Sequence, residues 1–339
     1  KIEGITSYTG IEPHGRFIYY YKNGSWLIYD LKQKVETDLA VYIPTSLSTV
    51  DPSQSAFPFP YGLAGFDKTG TQLLVYDQFD IWQVDLIKHQ AKRLTQGREQ
   101  GRTYRLITES KTLQNWEGTS LFTPAVIDLE QPLYLKSNDE AYRSGFACYA
   151  NGKLTDIAFK ASRHYSPKIT DKGLYYLEED QDLPPRVMFW NSAKTKLKLC
   201  YQSNAHYTHF ATGKAELLQL SNEKQLDNLQ ATLLYPFAYD ASKSYPMIID
   251  LYEQKAGAIH HYSVPILGDR KGVNYARLRS MGYFVLCPDF TYKSNEPGAS
   301  SKQSLDLILK EVLNNTAIDS SRIGLNGYSF GGYEVNYIV

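Results

Sequence analysis

Near the end of the chain, residues 327–333 read Gly-Tyr-Ser-Phe-Gly-Gly-Tyr, which is a G-x-S-x-G-G pattern. A serine between glycines is typical of a sharp strand-to-helix turn that exposes the serine hydroxyl as a nucleophile. We therefore predict that Ser329 is a nucleophile and that the backbone N–H of Phe330 points at a developing oxyanion. The turn leaves room for little more than a hydrogen atom beside the serine, which explains the glycines at Gly327, Gly331 and Gly332.

The neighbouring sequence supplies the strands and helices that such a turn requires. Residues 322–326 are an apolar strand candidate, and residues 333–339 have a helical pattern. Upstream, a continuous apolar run at 283–287 predicts a buried parallel strand. A helix with an apolar stripe follows it, and its start is predicted at a capping box formed by Ser300 and Gln303. This alternation of strands and helices predicts a doubly wound α/β sheet.

A second motif lies upstream, where residues 245–252 read Tyr-Pro-Met-Ile-Ile-Asp-Leu-Tyr. Together with the serine motif it resembles the prolyl oligopeptidase family of serine peptidases, which includes dipeptidyl and acylaminoacyl peptidases. The resemblance covers residues 230–339 most closely. In that family a tyrosine at the end of this strand donates its hydroxyl to the oxyanion, and the resemblance assigns this role to Tyr252. Glu253 departs from the family, in which many members have a small residue at that position.

A serine hydroxyl needs a base within hydrogen-bonding distance and a carboxylate that orients the base. In α/β-hydrolases both follow the serine in the chain. Only ten residues follow Ser329, and they contain neither Asp nor His. We therefore expect the chain to be a piece of a longer protein, cut at both ends, with the triad Asp and His outside it. His260 and His261 are upstream alternatives for the base, but loop histidines at a domain interface are the favoured interpretation.

The first 225 residues show aromatic strands that recur between turn signals such as Asn23-Gly24. Their spacing of roughly 40–60 residues is typical of four-stranded propeller blades with insertions. We predict a partial β-propeller over 1–225 and a truncated α/β-hydrolase domain over 226–339, introduced by an antiparallel pair at 217–220 and 229–234. The aromatic strands, which are expected to pack blade on blade, lie at 17–21, 25–31, 73–77, 81–86, 146–150 and 187–190.

Two local stretches have structural interpretations rather than functional ones. Residues 51–62 are rich in proline and predict a loop between blades, with a rim loop facing substrate as the alternative. Glu178 to Asp180 is an acidic run before a Pro-Pro turn. Dipeptidyl peptidases of the family hold the substrate amine on paired glutamates, but the sequence around this run does not match that motif. We therefore predict a solvated turn there.

Composition excludes several classes of protein. The 339 residues carry a formal net charge of zero, which gives no indication of nucleic-acid binding. No apolar run is long enough for a transmembrane helix. The three cysteines, Cys148, Cys200 and Cys287, lack metal-ligand spacing and allow at most one disulfide, between the first two; buried free thiols are the simpler interpretation. Neither a metal nor a cofactor is implied, since the predicted chemistry requires none.

The resemblance implies a serine peptidase that cleaves short peptides through an acyl-enzyme, with a propeller that excludes folded proteins. A peptide is the expected partner, and a homodimer is compatible with the family. Export to the periplasm or the cell exterior is expected from the relatives, although no signal peptide is visible. Two alternatives remain open: an esterase or acyl hydrolase on the same scaffold, and a non-catalytic propeller binding protein with a degenerate hydrolase domain.

Overall fold

The computed structural model describes residues 8–49, 59–108, 112–114, 120–122, 124–210, 213–220, 229–266, 273–293, 295–315 and 317–339. The described residues divide into two compact units, one that extends to Lys160 and one that extends from Ala161 to Val339. No helix in these ranges has the length and apolar character needed to span a bilayer. Residues 51–58 of the predicted proline-rich loop and residues 221–228 of the predicted hairpin turn lie outside the described residues.

The N-terminal unit is built almost entirely from short strands. In chain order they are β1 (Thr9–Ile11), β2 (Phe17–Lys22), β3 (Ser25–Asp30), β4 (Val35–Asp38), β5 (Ser48–Thr49), β6 (Phe59–Pro60), β7 (Leu63–Asp67), β8 (Gln72–Tyr76), β9 (Ile81–Asp85), β10 (Gln90–Arg93), β11 (Arg102–Leu106), β12 (Thr112–Gln114), β13 (Ser120–Phe122), β14 (Ala125–Ile127), β15 (Leu133–Asp139), β16 (Ser144–Ala150) and β17 (Lys153–Lys160). A one-turn helix, α1 (Gly97–Gln100), and a 3-10 turn at Leu39–Val41 interrupt them.

Three larger sheets make up this unit. Their strand orders are β1-β2-β3-β4, β10-β9-β8-β7-β14 and β11-β15-β16-β17, and all pairs are antiparallel except β7 with β14. Two small pairs, β5-β6 and β12-β13, complete it. Each of the three larger sheets contains four antiparallel strands, to which the second sheet adds the parallel strand β14, and none of the sheets closes on itself within the described ranges.

The aromatic strands pack one sheet against the next, as predicted. Asn23 and Gly24 have φ angles of 52° and 85°, the left-handed conformation that a tight two-residue hairpin requires, and they join β2 to β3. The Tyr19 ring of the first sheet lies 5.7 Å from the Phe66 ring of the second. Trp26 packs beside Tyr19 in the same buried cluster. Aromatic side chains of the first two sheets therefore form part of the core between them.

The C-terminal unit contains an antiparallel sheet followed by a mixed one. Its strands are β18 (Arg163–Thr170), β19 (Gly173–Asp180), β20 (Leu183–Asn191), β21 (Lys196–Gln202), β22 (Ala215–Leu220), β23 (Leu229–Leu234), β24 (Tyr245–Leu251), β25 (Phe284–Pro288) and β26 (Ile318–Gly327). Its helices are α2 (Tyr275–Ser280), α3 (Pro297–Val312) and α4 (Phe330–Ile338), with 3-10 turns at Ala205–His209 and Ala256–His260.

The two sheets of this unit differ in topology. The first has the order β18-β19-β20-β21, like the sheets of the N-terminal unit. The second has the order β22-β23-β25-β24-β26, in which β24 is parallel to both β25 and β26 and β22-β23 is the predicted antiparallel pair. The mixed sheet therefore begins at β22. The sheet β18-β19-β20-β21, the fourth antiparallel sheet in chain order, belongs to the same compact unit as the mixed sheet. The predicted domain boundary near residue 225 stays a prediction.

Helices cover both faces of the mixed sheet, because successive residues of its buried strands point to opposite sides. Leu233 and Leu286 pack with residues of α3 and α4. Their neighbours Leu234 and Val285 pack on the other face with α2 and the turn at Ala256–His260. The predicted order of alternating strands and helices is thus observed as a layered sheet with helices on each side.

The predicted start of helix α3 was wrong. Helix α3 begins at Pro297, so Ser300 lies inside its first turns rather than at its start. The Ser300 hydroxyl donates to the Glu296 carbonyl at 2.7 Å and accepts from the Lys293 N–H at 2.9 Å, so it closes the loop before the helix.

The cysteines are all free thiols. Cys148 and Cys287 are buried, as the simpler interpretation predicts, whereas Cys200 is exposed. The alternative of a disulfide between Cys148 and Cys200 is therefore excluded in this structure. Burial raises the pKa of the Cys287 thiol to about 12, so this thiol stays protonated at neutral pH.

Candidate active site

Ser329 occupies a strained turn between β26 and α4. Its φ and ψ angles are 56° and −119°, the conformation of the first central residue of a type II′ turn, where glycine is usual. The Gly331 N–H donates to the Tyr328 carbonyl at 3.0 Å and closes this turn. The Ser329 side chain is exposed and makes no hydrogen bond within the described ranges. The turn therefore presents a free hydroxyl at the carboxyl end of a parallel strand.

Two of the three predicted glycines are required by close backbone contacts. A Cβ atom on Gly327 would lie 2.1 Å from the Gly331 carbonyl oxygen, and one on Gly331 would lie 2.1 Å from the Leu251 carbonyl oxygen. Both distances are far below van der Waals contact, and both neighbours are backbone atoms. A Cβ on Gly332 would lie 3.6 Å from the Gly327 oxygen, an ordinary contact. Gly332 is therefore not required for steric reasons.

Tyr252 lies beside this turn. It directly follows β24, whose last residue, Leu251, is in register with Gly327 of β26. A Cβ atom on Gly331 would lie 3.4 Å from Cδ2 of the Tyr252 ring. The ring is half-buried, and its hydroxyl makes no hydrogen bond to a residue that the structure describes. The structure thus brings the predicted hydroxyl donor next to the backbone of the serine turn.

Phe330 is the first residue of α4. The first N–H groups of a helix have no carbonyl partner in a preceding turn, and they favour negative charge. The Phe330 ring packs against Tyr292 and Tyr333, with centroid distances of 5.8 Å and 5.5 Å. The side chain is therefore anchored between aromatic neighbours while the backbone N–H remains available to a ligand.

A buried carboxylate supports the ends of both parallel strands. Asp250 of β24 is only 4% exposed. It accepts hydrogen bonds from Asn326 Nδ2 at 2.6 Å, from the Tyr275 hydroxyl at 2.5 Å and from Lys255 Nζ at 2.8 Å. Burial raises the pKa of Tyr275 above its ordinary range, so its hydroxyl remains a donor. This network was not predicted from the sequence, although an Asp inside an apolar strand was a signal for it.

The loop after Tyr252 has its own polar anchors. Asp289 Oδ1 accepts from the N–H groups of Lys255 and Ala256 at 2.5 Å and 2.7 Å. The Thr232 hydroxyl donates to the Ala256 carbonyl at 2.6 Å. These bonds fix the start of the 3-10 turn at Ala256–His260, and with it the backbone that follows the tyrosine.

A hairpin of the fourth antiparallel sheet contacts the same 3-10 turn. Gln181, between β19 and β20, donates from Nε2 to the Ala258 carbonyl at 2.8 Å. Its Oε1 accepts from Arg279 at 2.6 Å, and that guanidinium is buried and also donates to the Tyr235 carbonyl. The His260 Nδ1 atom lies 3.0 Å from Asp180 Oδ1. The loop after Tyr252 is therefore held from the antiparallel sheet as well.

The prediction of a solvated acidic turn at Glu178 to Asp180 was wrong, because these residues belong to β19. Glu178 and Glu179 are 1% and 4% exposed. Each pairs with an arginine of a neighbouring strand, Arg186 at 2.8 Å and Arg163 at 2.7 Å. The arginines stabilise carboxylates that would otherwise be costly to bury.

The described residues place no base beside Ser329. Its hydroxyl has no hydrogen bond to His260 or His261, and His260 instead contacts Asp180 within the part of the chain that the structure describes. In the same ranges, no group of three or more His, Cys, Asp or Glu residues could hold a metal ion.

Comparisons with known proteins bear on the fold. No family model matches the sequence, and no curated protein matches it either. A Bacteroides ovatus structure described as a dipeptidyl aminopeptidase IV is similar over 98% of this chain and 49% of its own, with 14% identity and a TM-score of 0.62. A puromycin-hydrolyzing peptidase of Mycobacterium tuberculosis is similar over 98% and 50%, with 11% identity and a TM-score of 0.56.

This chain shares their fold. The resemblance inferred from the two motifs is thereby confirmed at the level of the fold, since the matched structures are peptidases of the predicted kind. The chain spans about half the length of the structures that it matches.

Proposed function

We propose that this chain is part of a serine peptidase of the prolyl oligopeptidase kind and that Ser329 is its nucleophile. The observation that carries the proposal is the turn itself. A serine holds a backbone conformation that favours glycine, and its hydroxyl is exposed next to a free helix N–H. In the same proposal, the antiparallel sheets are propeller blades, and residues 226–339 begin an α/β-hydrolase domain.

The arrangement suits acyl transfer. Ser329 Oγ attacks the carbonyl carbon of the substrate, and a general base accepts the hydroxyl proton. The Phe330 N–H and the Tyr252 hydroxyl donate to the oxyanion of the tetrahedral intermediate. Collapse of the intermediate expels the amine, which takes a proton, and leaves an acyl-enzyme that water hydrolyses. The base and its orienting carboxylate are required by the proposal but are not placed by the described residues.

Short peptides are the proposed substrates. The support is the shared fold with a protein described as a dipeptidyl aminopeptidase and with a puromycin-hydrolyzing peptidase. The esterase alternative uses the same nucleophile and the same oxyanion donors, so geometry does not separate the two. Turnover of peptide amides compared with simple esters does separate them, because an esterase will not cleave the amides.

The test of the nucleophile is labelling with a fluorophosphonate probe, followed by intact mass measurement and peptide mapping of the full-length natural protein. We expect one adduct, on Ser329, and no adduct in the Ser329→Ala variant. A folded full-length protein that takes no probe would contradict the proposal and favour a non-catalytic binding protein.

The role of Tyr252 is tested by Tyr252→Phe, which removes only the hydroxyl. Loss of one oxyanion donor typically raises the barrier by about 3 kcal/mol, so we expect kcat to fall on the order of 100-fold. The unfolding midpoint should stay unchanged, because the hydroxyl has no partner among the described residues. Tyr337→Phe, at a half-exposed position on α4, is the matched control and should keep normal turnover. Near-normal turnover of Tyr252→Phe would exclude this assignment.

A further inference from the structure

Glu334 is a buried carboxyl group that the proposed reaction does not use. It lies on α4, five residues after Ser329, and is 0% exposed. Its Oε1 atom accepts from the Tyr292 hydroxyl at 2.5 Å and from the Ser301 hydroxyl at 2.8 Å. Its Oε2 atom is buried and has no hydrogen-bond partner within the described ranges. A buried carboxyl group in which one oxygen has no hydrogen-bond partner is rare and requires a physical explanation.

The surroundings favour the neutral acid. Burial raises the pKa of Glu334, and the nearby Glu253 carboxylate raises it further, while the two hydroxyl donors only partly oppose them. Burial also raises the pKa of Tyr292, so this hydroxyl remains a donor. No ion pair joins Glu334 to a cation in the part of the chain that the structure describes. A charged carboxylate without a cation is expensive in such a site, whereas a neutral acid is tolerated.

Glu334 and its two partners lie on three different segments. Tyr292 lies in the loop after β25, Ser301 lies in α3, and Glu334 itself lies in the helix that starts at Phe330. Helices α3 and α4 approach so closely that a Cβ on Gly298 would lie 2.4 Å from the Tyr337 ring. One carboxyl group therefore ties α4 to α3 and to the loop after β25.

Tyr292 links this carboxyl group to the proposed oxyanion site. Its hydroxyl bonds Glu334, and its ring packs edge-on against the Phe330 ring at 5.8 Å. A ring held at both ends restricts the position of Phe330, whose N–H is the proposed oxyanion donor. Small displacements of such a donor have large effects, since about 1 Å of misplacement can cost on the order of 100-fold in rate.

We propose that Glu334 is a positioning residue that holds Phe330 and the first turn of α4 in place through Tyr292 and Ser301. This inference rests on the proposed function of Ser329. The oxyanion develops only after attack. A displaced Phe330 N–H therefore stabilises the transition state less, while the affinity for the substrate in the ground state stays unchanged. The change therefore appears in kcat and not in KM.

The experiment compares Glu334→Leu, Glu334→Gln and Tyr292→Phe in the full-length natural protein. Leucine removes both hydrogen bonds, and we expect kcat to fall about tenfold or more with KM within about twofold. Glutamine keeps an acceptor for both hydroxyls and matches the neutral acid in shape, so kcat should stay within about threefold. Tyr292→Phe keeps the ring against Phe330 but breaks the bond to Glu334, and it should lower kcat severalfold.

The outcomes separate this inference from the proposed function. A wild-type protein that neither turns over peptides nor takes the fluorophosphonate probe contradicts the function itself. A reactive wild type together with normal kcat in Glu334→Leu overturns the positioning role alone. If Glu334→Leu does not fold, normal kcat in a folded Tyr292→Phe variant overturns it equally. If a folded Glu334→Gln variant loses as much kcat as Glu334→Leu, the result contradicts the inference that the Glu334 carboxyl group is neutral.

Discussion

The turn around Ser329 and the loop after Tyr252 leave neighbouring parallel strands, β26 and β24, at the same edge of the sheet. The serine turn is held by backbone atoms in contact, since Gly327 and Gly331 leave no room for a Cβ. The loop after Tyr252 is held by side chains, with Asp289 and Gln181 as its anchors. One region is fixed by steric exclusion and the other by hydrogen bonds.

The two regions are expected to respond differently to substitution. A steric clash with backbone cannot be relieved without moving a strand, so a substitution in the serine turn disrupts the whole site. Hydrogen-bonded anchors can be removed one at a time, and each removal costs the desolvation of the group left behind. We therefore expect all-or-none changes in the first region and graded changes in the second.

The largest effect is expected for Gly331→Ala. The added methyl group would overlap the Leu251 carbonyl oxygen, and we expect the free energy of unfolding to fall by about 3 kcal/mol, with loss of probe labelling at Ser329. Urea denaturation measures the first change. Gly332→Ala is the matched control, because its methyl group meets only an ordinary contact, and alanine favours the helix by about 0.5–1 kcal/mol. Equal destabilisation by the two changes would contradict steric exclusion as the constraint on the serine turn.

A smaller effect is expected for Asp289→Ala, which leaves the N–H groups of Lys255 and Ala256 without their acceptor. We expect a loss of about 2 kcal/mol in the free energy of unfolding, since each unsatisfied buried donor costs roughly 1–3 kcal/mol and Lys255 is half-buried. Asp289→Asn keeps an oxygen acceptor and should lose about half as much. If asparagine destabilises as much as alanine, the carboxylate acts through something other than these two bonds.

Gln181→Ala should lower the free energy of unfolding by less, about 1 kcal/mol. The reason is that Arg279 keeps its hydrogen bond to the Tyr235 carbonyl when the glutamine is removed. The measurement is again urea denaturation, with Asp171→Ala, in the exposed hairpin between β18 and β19, as the control. The control should stay within about 0.5 kcal/mol of the wild type. A Gln181→Ala variant as stable as the control would show that the hairpin does not hold the loop.

The smallest effect is expected in the pH dependence of stability, through the buried Glu334 carboxyl group on α4. Burial raises the pKa of this carboxyl above its unfolded value, so its contribution to stability is complete below the ordinary Glu pKa of about 4.3. It is lost as pH rises through the folded-state value. Glu334→Gln has no such titration, so the stability of the wild type relative to the variant should fall with rising pH. Unfolding midpoints of both proteins from acid to neutral pH measure this change. A wild type that gains stability relative to the variant as pH rises would contradict a neutral carboxyl group at Glu334.

The serine turn could be predicted from sequence because its requirements are local. Gly327 and Gly331 approach each other four residues apart, so the motif itself contains the steric constraint. The strands of the mixed sheet were also predictable, since buried parallel strands are continuous apolar runs. The antiparallel hairpin of β2 and β3 was predictable as well, because its turn residues Asn23 and Gly24 are adjacent in sequence.

The anchors of the loop after Tyr252 could not be predicted, because their partners are distant in sequence. Gln181 and Ala258 are 77 residues apart, and Asp289 bonds an N–H 34 residues upstream. The same reason explains the error at Glu178 and Glu179. A run of acids before a turn looks solvated until arginines from neighbouring strands pair with it.

The backbone angles of Ser329 have a consequence for selection experiments. A serine at φ 56° and ψ −119° lowers the stability of the fold, because only glycine adopts this conformation freely. Glycine at this position would relieve that cost and remove the hydroxyl at the same time. In a library screened only for heat resistance, replacement of Ser329 by glycine should therefore be enriched, and a screen for activity should remove it. The residue found at position 329 would therefore show whether a population of sequences was selected for stability or for activity.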